Sequence, residues 1–107
     1  MEVTINGQTL QFRMDNWWGP MYAFEEVMDV EHYPERRFNP AKTLHLHIML
    51  WCVLMTDNPD STLQLEDFLK ALDDMEQYRV LLEHYNKRVS ILLDMPAQDG
   101  DPSKKKN

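Results

Sequence analysis

Two residues, Asn6-Gly7, constrain this chain more than any others. They stand between two short runs of alternating apolar and polar residues, Val3-Thr4-Ile5 and Gln8-Thr9-Leu10-Gln11-Phe12. A two-residue hairpin loop needs positive φ at both central positions, and Asn followed by Gly tolerates this at little steric cost. The loop length sets the register: Ile5 opposite Gln8, Val3 opposite Leu10, Met1 opposite Phe12. Met1, Val3, Ile5, Leu10, Phe12 and Met14 then share one face, and Glu2, Thr4, Thr9, Gln11 and Arg13 the other. A lone hairpin is marginal in water, so the apolar face of a hairpin over residues 2–14 demands a helical cover.

Helical patterns follow it. Trp17, Met21, Phe24 and Met28 recur at spacings of four, three and four, which predicts a first helix over residues 17–30. Glu31-His32-Tyr33-Pro34-Glu35-Arg36-Arg37-Phe38 has no period and reads as a loop. Asn39-Pro40 offers an N-cap and a first-turn proline, predicting a second helix over residues 40–55. That helix is apolar nearly all round after His47 and belongs at the centre of a core. Beyond the Thr56-Asp57-Asn58-Pro59-Asp60 turn, Ser61 and Gln64 have capping-box spacing and predict a third helix over residues 61–73. Met75, Tyr78, Leu82, Tyr85, Val89 and Leu92 give a clean stripe for a fourth over residues 74–94, separate from the third or continuous with it. Glu83 and Lys87, four apart, belong to its solvated side. The expected fold is α+β and mainly α: a hairpin packed on a bundle of three to four helices. One globular domain is expected over residues 1–95, followed by a disordered polar tail over residues 96–107.

A chain of 107 residues can bury about 65% of its unfolded surface around one core. Its formal charge of −7 argues against binding a phosphate backbone, so no nucleic-acid partner is expected. No apolar run reaches the roughly 18 residues of a membrane span, and no basic stretch followed by an apolar one marks a secretory signal. A cytoplasmic protein is the expectation. The lone Cys52 lies in Ile48-Met49-Leu50-Trp51-Cys52-Val53-Leu54, where an inert buried thiol is expected.

Catalytic chemistry finds little footing. His45 and His47 are two apart, which on a helix puts them on roughly opposite faces rather than on one metal. No HExxH pattern or paired cysteine spacing occurs, so no metal, cofactor or catalytic residue is expected. His84 beside Arg88 reads as a surface histidine. The pairs Glu25-Glu26, Glu66-Asp67 and Asp73-Asp74 read as solvated helix faces or caps. With three glycines and no phosphate loop or nucleophile elbow, the chain is not expected to be an enzyme.

Binding fits better. Eight methionines suit surfaces that accept varied apolar partners, although filling a small core is the competing use. Trp17, Trp18 and Tyr22 are more aromatic area than one short helix normally buries. Candidate partner contacts are Trp17, Trp18, Met21, Tyr22 and Met28 near the hairpin, and Tyr78, Leu81 and Tyr85 on the last helix.

The opening Val3-Thr4-Ile5-Asn6-Gly7, a second strand and a helix carrying Tyr22-Ala23-Phe24-Glu25-Glu26 resemble tail assembly chaperones of long-tailed bacteriophages and prophages. The central apolar helix, the Asn58-Pro59-Asp60-Ser61-Thr62-Leu63 turn and Leu65-Glu66-Asp67-Phe68-Leu69 extend the resemblance over residues 2–93. Trp17-Trp18-Gly19-Pro20 and the His45/His47 pair depart from the family's pattern. The resemblance implies a protein that binds the helix-rich tape measure protein during tail morphogenesis and helps recruit tail tube subunits. It implies action in the host cytoplasm, with homo-oligomers an open option, and absence from the mature virion. Lys104-Lys105-Lys106-Asn107 is compatible with an A-rich frameshift sequence of the kind that gives this family a longer product, although on sequence alone a plain basic tail is the favoured reading. The alternatives from other classes are a structural tail or adaptor component, and an acidic inhibitor or nucleic-acid mimic.

Overall fold

The computed structural model describes residues 1–74 and 76–93. Strands β1 (Glu2–Ile5) and β2 (Gln8–Gln11) pair antiparallel with Ile5 opposite Gln8 and Val3 opposite Leu10. Asn6 and Gly7 carry φ of 51° and 79°, the doubly left-handed turn that their chemistry predicts. Met1 and Phe12 extend the ladder, each backbone N–H donating to the other's carbonyl at 3.1 and 2.8 Å. Val3, Ile5, Leu10, Phe12 and Met14 are buried on the inner face, while Glu2, Thr4, Thr9 and Arg13 face solvent.

Among the described residues, four helices complete an α+β, mainly α fold: α1 (Trp18–Met28), α2 (Thr43–Asp57), α3 (Leu65–Ala71) and α4 (Tyr78–Leu92). Short 3-10 turns occupy Pro34–Arg36 and Leu72–Asp74. The second of these breaks the third helix from the fourth, although Met75 and the expected tail over residues 96–107 lie outside the described residues. Helix α2 runs through the middle of the core, with Ile48, Met49, Leu50, Cys52, Val53 and Leu54 all buried. The hairpin, α1, α3 and α4 surround it, contributing Phe24, Phe68, Leu81 and Tyr85 to the same cluster.

The four described helices start later than expected: α1 at Trp18 rather than Trp17, α4 at Tyr78 rather than Asp74, and α2 and α3 because a polar side chain is used elsewhere. For α1, the capping acceptor is Asn16, whose Oδ1 receives the Gly19 N–H at 2.8 Å. A Cβ on Gly19 would lie 3.0 Å from that oxygen and 3.3 Å from Thr56 Cγ2, so glycine permits the close approach of α1 to α2. The second helix begins at Thr43, not Pro40. Asn39 Oδ1 accepts from Ala41 N–H at 2.9 Å in a local Asx turn, and Lys42 stays extended before the first helical residue. The third begins at Leu65, not Ser61. Ser61 Oγ instead donates to Gln8 Oε1 at 3.0 Å and accepts from Leu63 N–H at 3.1 Å. Trp51 Nε1 then holds the Leu63 carbonyl at 3.1 Å, fastening the connection to α2.

The C-terminus of α2 is latched to the exit of the hairpin. Asp57 Oδ2 accepts the backbone N–H groups of Arg13 and Met14 at 2.7 and 3.0 Å. Asn58 Oδ1 accepts from Gln11 N–H at 3.0 Å, and its Nδ2 donates to the carbonyls of Gln11 and Leu54 at 2.8 Å each. Met14 has a φ of 54°, a left-handed conformation uncommon outside glycine, asparagine and aspartate. Its carbonyl is held by Arg88 Nε at 3.1 Å. This latch orients the chain entering α1 and so positions the surfaces considered next.

Candidate functional site

Trp17 lies just before α1 and turns back over the loop that precedes α2. Its ring meets Phe38 edge-on at 6.2 Å between centroids, and Phe38 meets Phe24 at 5.2 Å. Phe24 in turn packs on His45 at 5.3 Å. Trp17 and Phe38 from this row form one wall of a groove of about 510 Å³. Pro40 and Leu46 continue that wall, while Tyr85, Asn86, Val89 and Leu93 from the α4 side form the other. The lining side chains are apolar apart from the Tyr85 hydroxyl, the Asn86 amide and the Trp17 indole N–H. A groove of this composition, bordered by two helices, suits the apolar stripe of a third helix. Tyr85 is itself buried, and desolvation drives its phenol well above the usual range, so it stays neutral.

The eight candidate contacts separate into four groups. Trp17 and Tyr85 come together at the groove. Trp18 and Tyr22 lie on the outer side of α1, 59% and 65% exposed, with rings stacked at 6.2 Å. Met21, Met28 and Tyr78 are partly buried against the core. Leu81 is fully buried beneath α4 and offers no surface, which corrects its nomination. Tyr85 is corrected in part, since only an edge of the side chain can reach a ligand. The methionines also serve the core: Met14 and Met49 are fully buried, and Met1, Met21, Met28 and Met55 pack against them and their neighbours.

Phe38, Leu46, Val89 and Leu93 were not nominated. Phe38 is the one phenylalanine in a charged loop, and that contrast was the available signal. Leu46 and Val89 belong to stripes whose periodicity does not say which edge is left uncovered.

Three of the four histidines are structural. His45 is buried, and its Nδ1 accepts the Asn39 N–H at 3.1 Å, which fixes the start of α2. His47 Nε2 lies 2.7 Å from the Tyr78 hydroxyl, on a different side of α2. His84 is half-buried rather than at the surface. Its ring meets Phe12 edge-on at 5.7 Å, and its Nε2 is covered without a hydrogen-bond partner among the described residues. Burial lowers the pKa of all three from 6.5. The unfolded chain therefore binds more protons than the folded one just below pH 6.5. Stability is complete above that value and falls as the pH drops toward the lowered folded pKa values. Each histidine contributes a slope of at most about 1.4 kcal/mol per pH unit, less for the two that are partly exposed. Urea titrations are expected to give a lower midpoint at pH 5.5 than at pH 7.5, with His45→Gln flattening the difference. A midpoint independent of pH across this window would contradict neutral, buried histidines.

Cys52 is fully buried, and burial pushes its thiol pKa up to about 12, leaving an inert neutral group. Among the described residues, no group of three or more histidine, cysteine or carboxylate side chains is placed to hold a metal ion. No helix among them is long and apolar enough to cross a membrane. In comparisons with known proteins, no family model, no curated protein and no solved structure matches this chain.

Proposed function

We propose that this protein is a tail assembly chaperone of a long-tailed bacteriophage or prophage, acting by binding rather than catalysis. Its client is the helix-rich tape measure protein during tail morphogenesis, with tail tube subunits recruited to the same complex. The protein works in the cytoplasm of the bacterial host and leaves before the virion matures. The observation that carries this reading is the apolar groove between the Trp17–Phe38 wall and Val89 of α4, a surface that can shield one apolar helix face from water. The hairpin-then-helices order and the Asn6-Gly7 turn support it through the family resemblance.

Co-expression with the tape measure protein encoded by the same phage or prophage tests the proposal. The client is expected to become soluble and to co-elute with this protein. Val89→Glu, which places a carboxylate on the partly buried groove wall, is expected to weaken that association at least about tenfold while the protein stays folded. A client that remains insoluble and unbound, or binding indifferent to Val89→Glu, counts against the groove as the client site. Retention of the protein in purified virions would favour a structural tail or adaptor component instead.

A further inference from the structure

The outward side of α1 carries a second surface, on the far side of the helix from its buried residue Phe24. Trp18, Tyr22, Glu25 and Asp29 fall at i, i+4, i+7 and i+11, so they form one stripe. The two rings stack at 27° with more than half of each residue exposed. Below them, Glu25, Glu26, Asp29 and Glu31 border a recess of about 390 Å³. The helix ends there, so its partially negative terminal carbonyls add to the field of the carboxylates. No basic residue stands in the last turn of α1. From Asp15 to Glu35 the sequence holds six carboxylates and no lysine or arginine.

The neighbouring basic side chains Arg36 and His32 are already engaged. The Arg36 guanidinium sits 4.0 Å from the Tyr33 ring centroid and donates to the Met28 carbonyl at 3.3 Å. His32 reaches only Asp29, at 2.8 Å. Carboxylates gathered at a helix C-terminus oppose its dipole, a local conflict of the kind that marks a binding surface.

We propose that this face of α1 docks a basic amphipathic helix of a partner protein. Lysine or arginine side chains of that helix enter the acidic recess, and an apolar or cationic side chain of the same helix lies on the Trp18–Tyr22 pair. The two parts of the surface are about 11 Å apart along α1, so the partner's anchor and its cations are about two turns apart. Charge complementarity selects this occupant, because an acidic helix, a nucleic acid or an anionic membrane would be repelled. The proposal does not depend on the groove or on what fills it.

The test uses the intact protein and a model helix of about 21 residues built from leucine and lysine, with a leucine–glutamate helix of the same pattern as control. Calorimetry is expected to show the lysine helix binding at least about tenfold more tightly than the glutamate helix. Its affinity should fall at least about tenfold between about 20 and about 300 mM salt. Trp18→Ala/Tyr22→Ala and Glu25→Gln/Glu26→Gln/Asp29→Asn should each weaken binding about tenfold or more, with the thermal midpoint little changed. Asparagine tolerates the left-handed conformation of Asp29, where φ is 56°.

Val89→Glu should leave the affinity unchanged. No binding of the lysine helix at low salt, equal binding of the glutamate helix, or α1 variants that bind like the wild type would each overturn the proposal. So would loss of binding in Val89→Glu, which would place the helix in the groove. A Lys104→Gln/Lys105→Gln/Lys106→Gln chain that binds at least about tenfold more tightly would identify this chain's own lysines as the occupant, and would also overturn it.

Discussion

Phe24→Ala is expected to lower the stability of this protein by about 3–5 kcal/mol, the usual range for deleting a buried phenylalanine. Phe24 is fully buried and stands where α1 meets both the loop before α2 and α2 itself, against Phe38 and His45. Removing its ring opens a cavity bounded by two aromatic rings that cannot collapse into it without moving the backbone. It also loosens Phe38, on which the Trp17 side of the groove leans. The thermal midpoint should fall on the order of 15–25 °C for a domain of this size. Trp18→Ala, six residues earlier on the same helix, should change stability by less than about 0.5 kcal/mol because the indole is mostly exposed. Parallel thermal melts decide the matter. Equal losses in the two variants would mean that α1 presents a different face to the core.

Asn58→Ala is expected to cost about 2–4 kcal/mol, since it leaves both the N–H and the carbonyl of Gln11 at the hairpin exit without partners. The side-chain amide binds both the N–H and the carbonyl of Gln11, much as a neighbouring strand would, and a second donor bond reaches Leu54. Asp57 holds the Arg13 and Met14 N–H groups, so the pair fixes the turn in which Met14 takes its left-handed conformation. Such a conformation costs of order 1–3 kcal/mol and persists only where its surroundings enforce it. Asn58→Asp discriminates between an acceptor role and the full amide role, because aspartate keeps the bond from Gln11 N–H and loses both donor bonds. It should fall between the wild type and Asn58→Ala. Hydrogen exchange at Gln11, Arg13 and Met14 should accelerate in Asn58→Ala before global unfolding does. Protection unchanged at those amides would show that the latch does not hold the hairpin exit.

Much of the fold is legible in the chain. The hairpin could be read to the residue because period-two alternation and an Asn-Gly turn act over a few neighbouring positions. The existence of each helix was legible for the same reason, since apolar recurrence at three and four residues is a local signal. Helix starts were less so. Asn39 and Ser61 have capping chemistry, but Asn39 closes a turn onto Ala41 and Ser61 reaches Gln8, 53 positions away in sequence. A side chain with one oxygen goes to whichever donor or acceptor the fold brings near, and only one of those competitors is visible nearby in the sequence.

The candidate surfaces divide in the same way. Stripes on α1 and α4 were written in their periodicity, yet the same stripe character describes Leu81, which is fully buried, and Val89, which borders the groove. Trp17 and Trp18 are adjacent and chemically identical. A turn of about 100° between them sends one against Phe38 and the other into solvent. The sequence by itself determined the class of fold, the register of the hairpin and the central place of α2, because these follow from spacing and turn chemistry between near neighbours. The tertiary structure alone decided which helix faces are covered, where the groove opens, and that Asp57 and Asn58 latch the hairpin. Those outcomes depend on contacts between residues far apart in the chain, whose geometry exists only once the helices have packed.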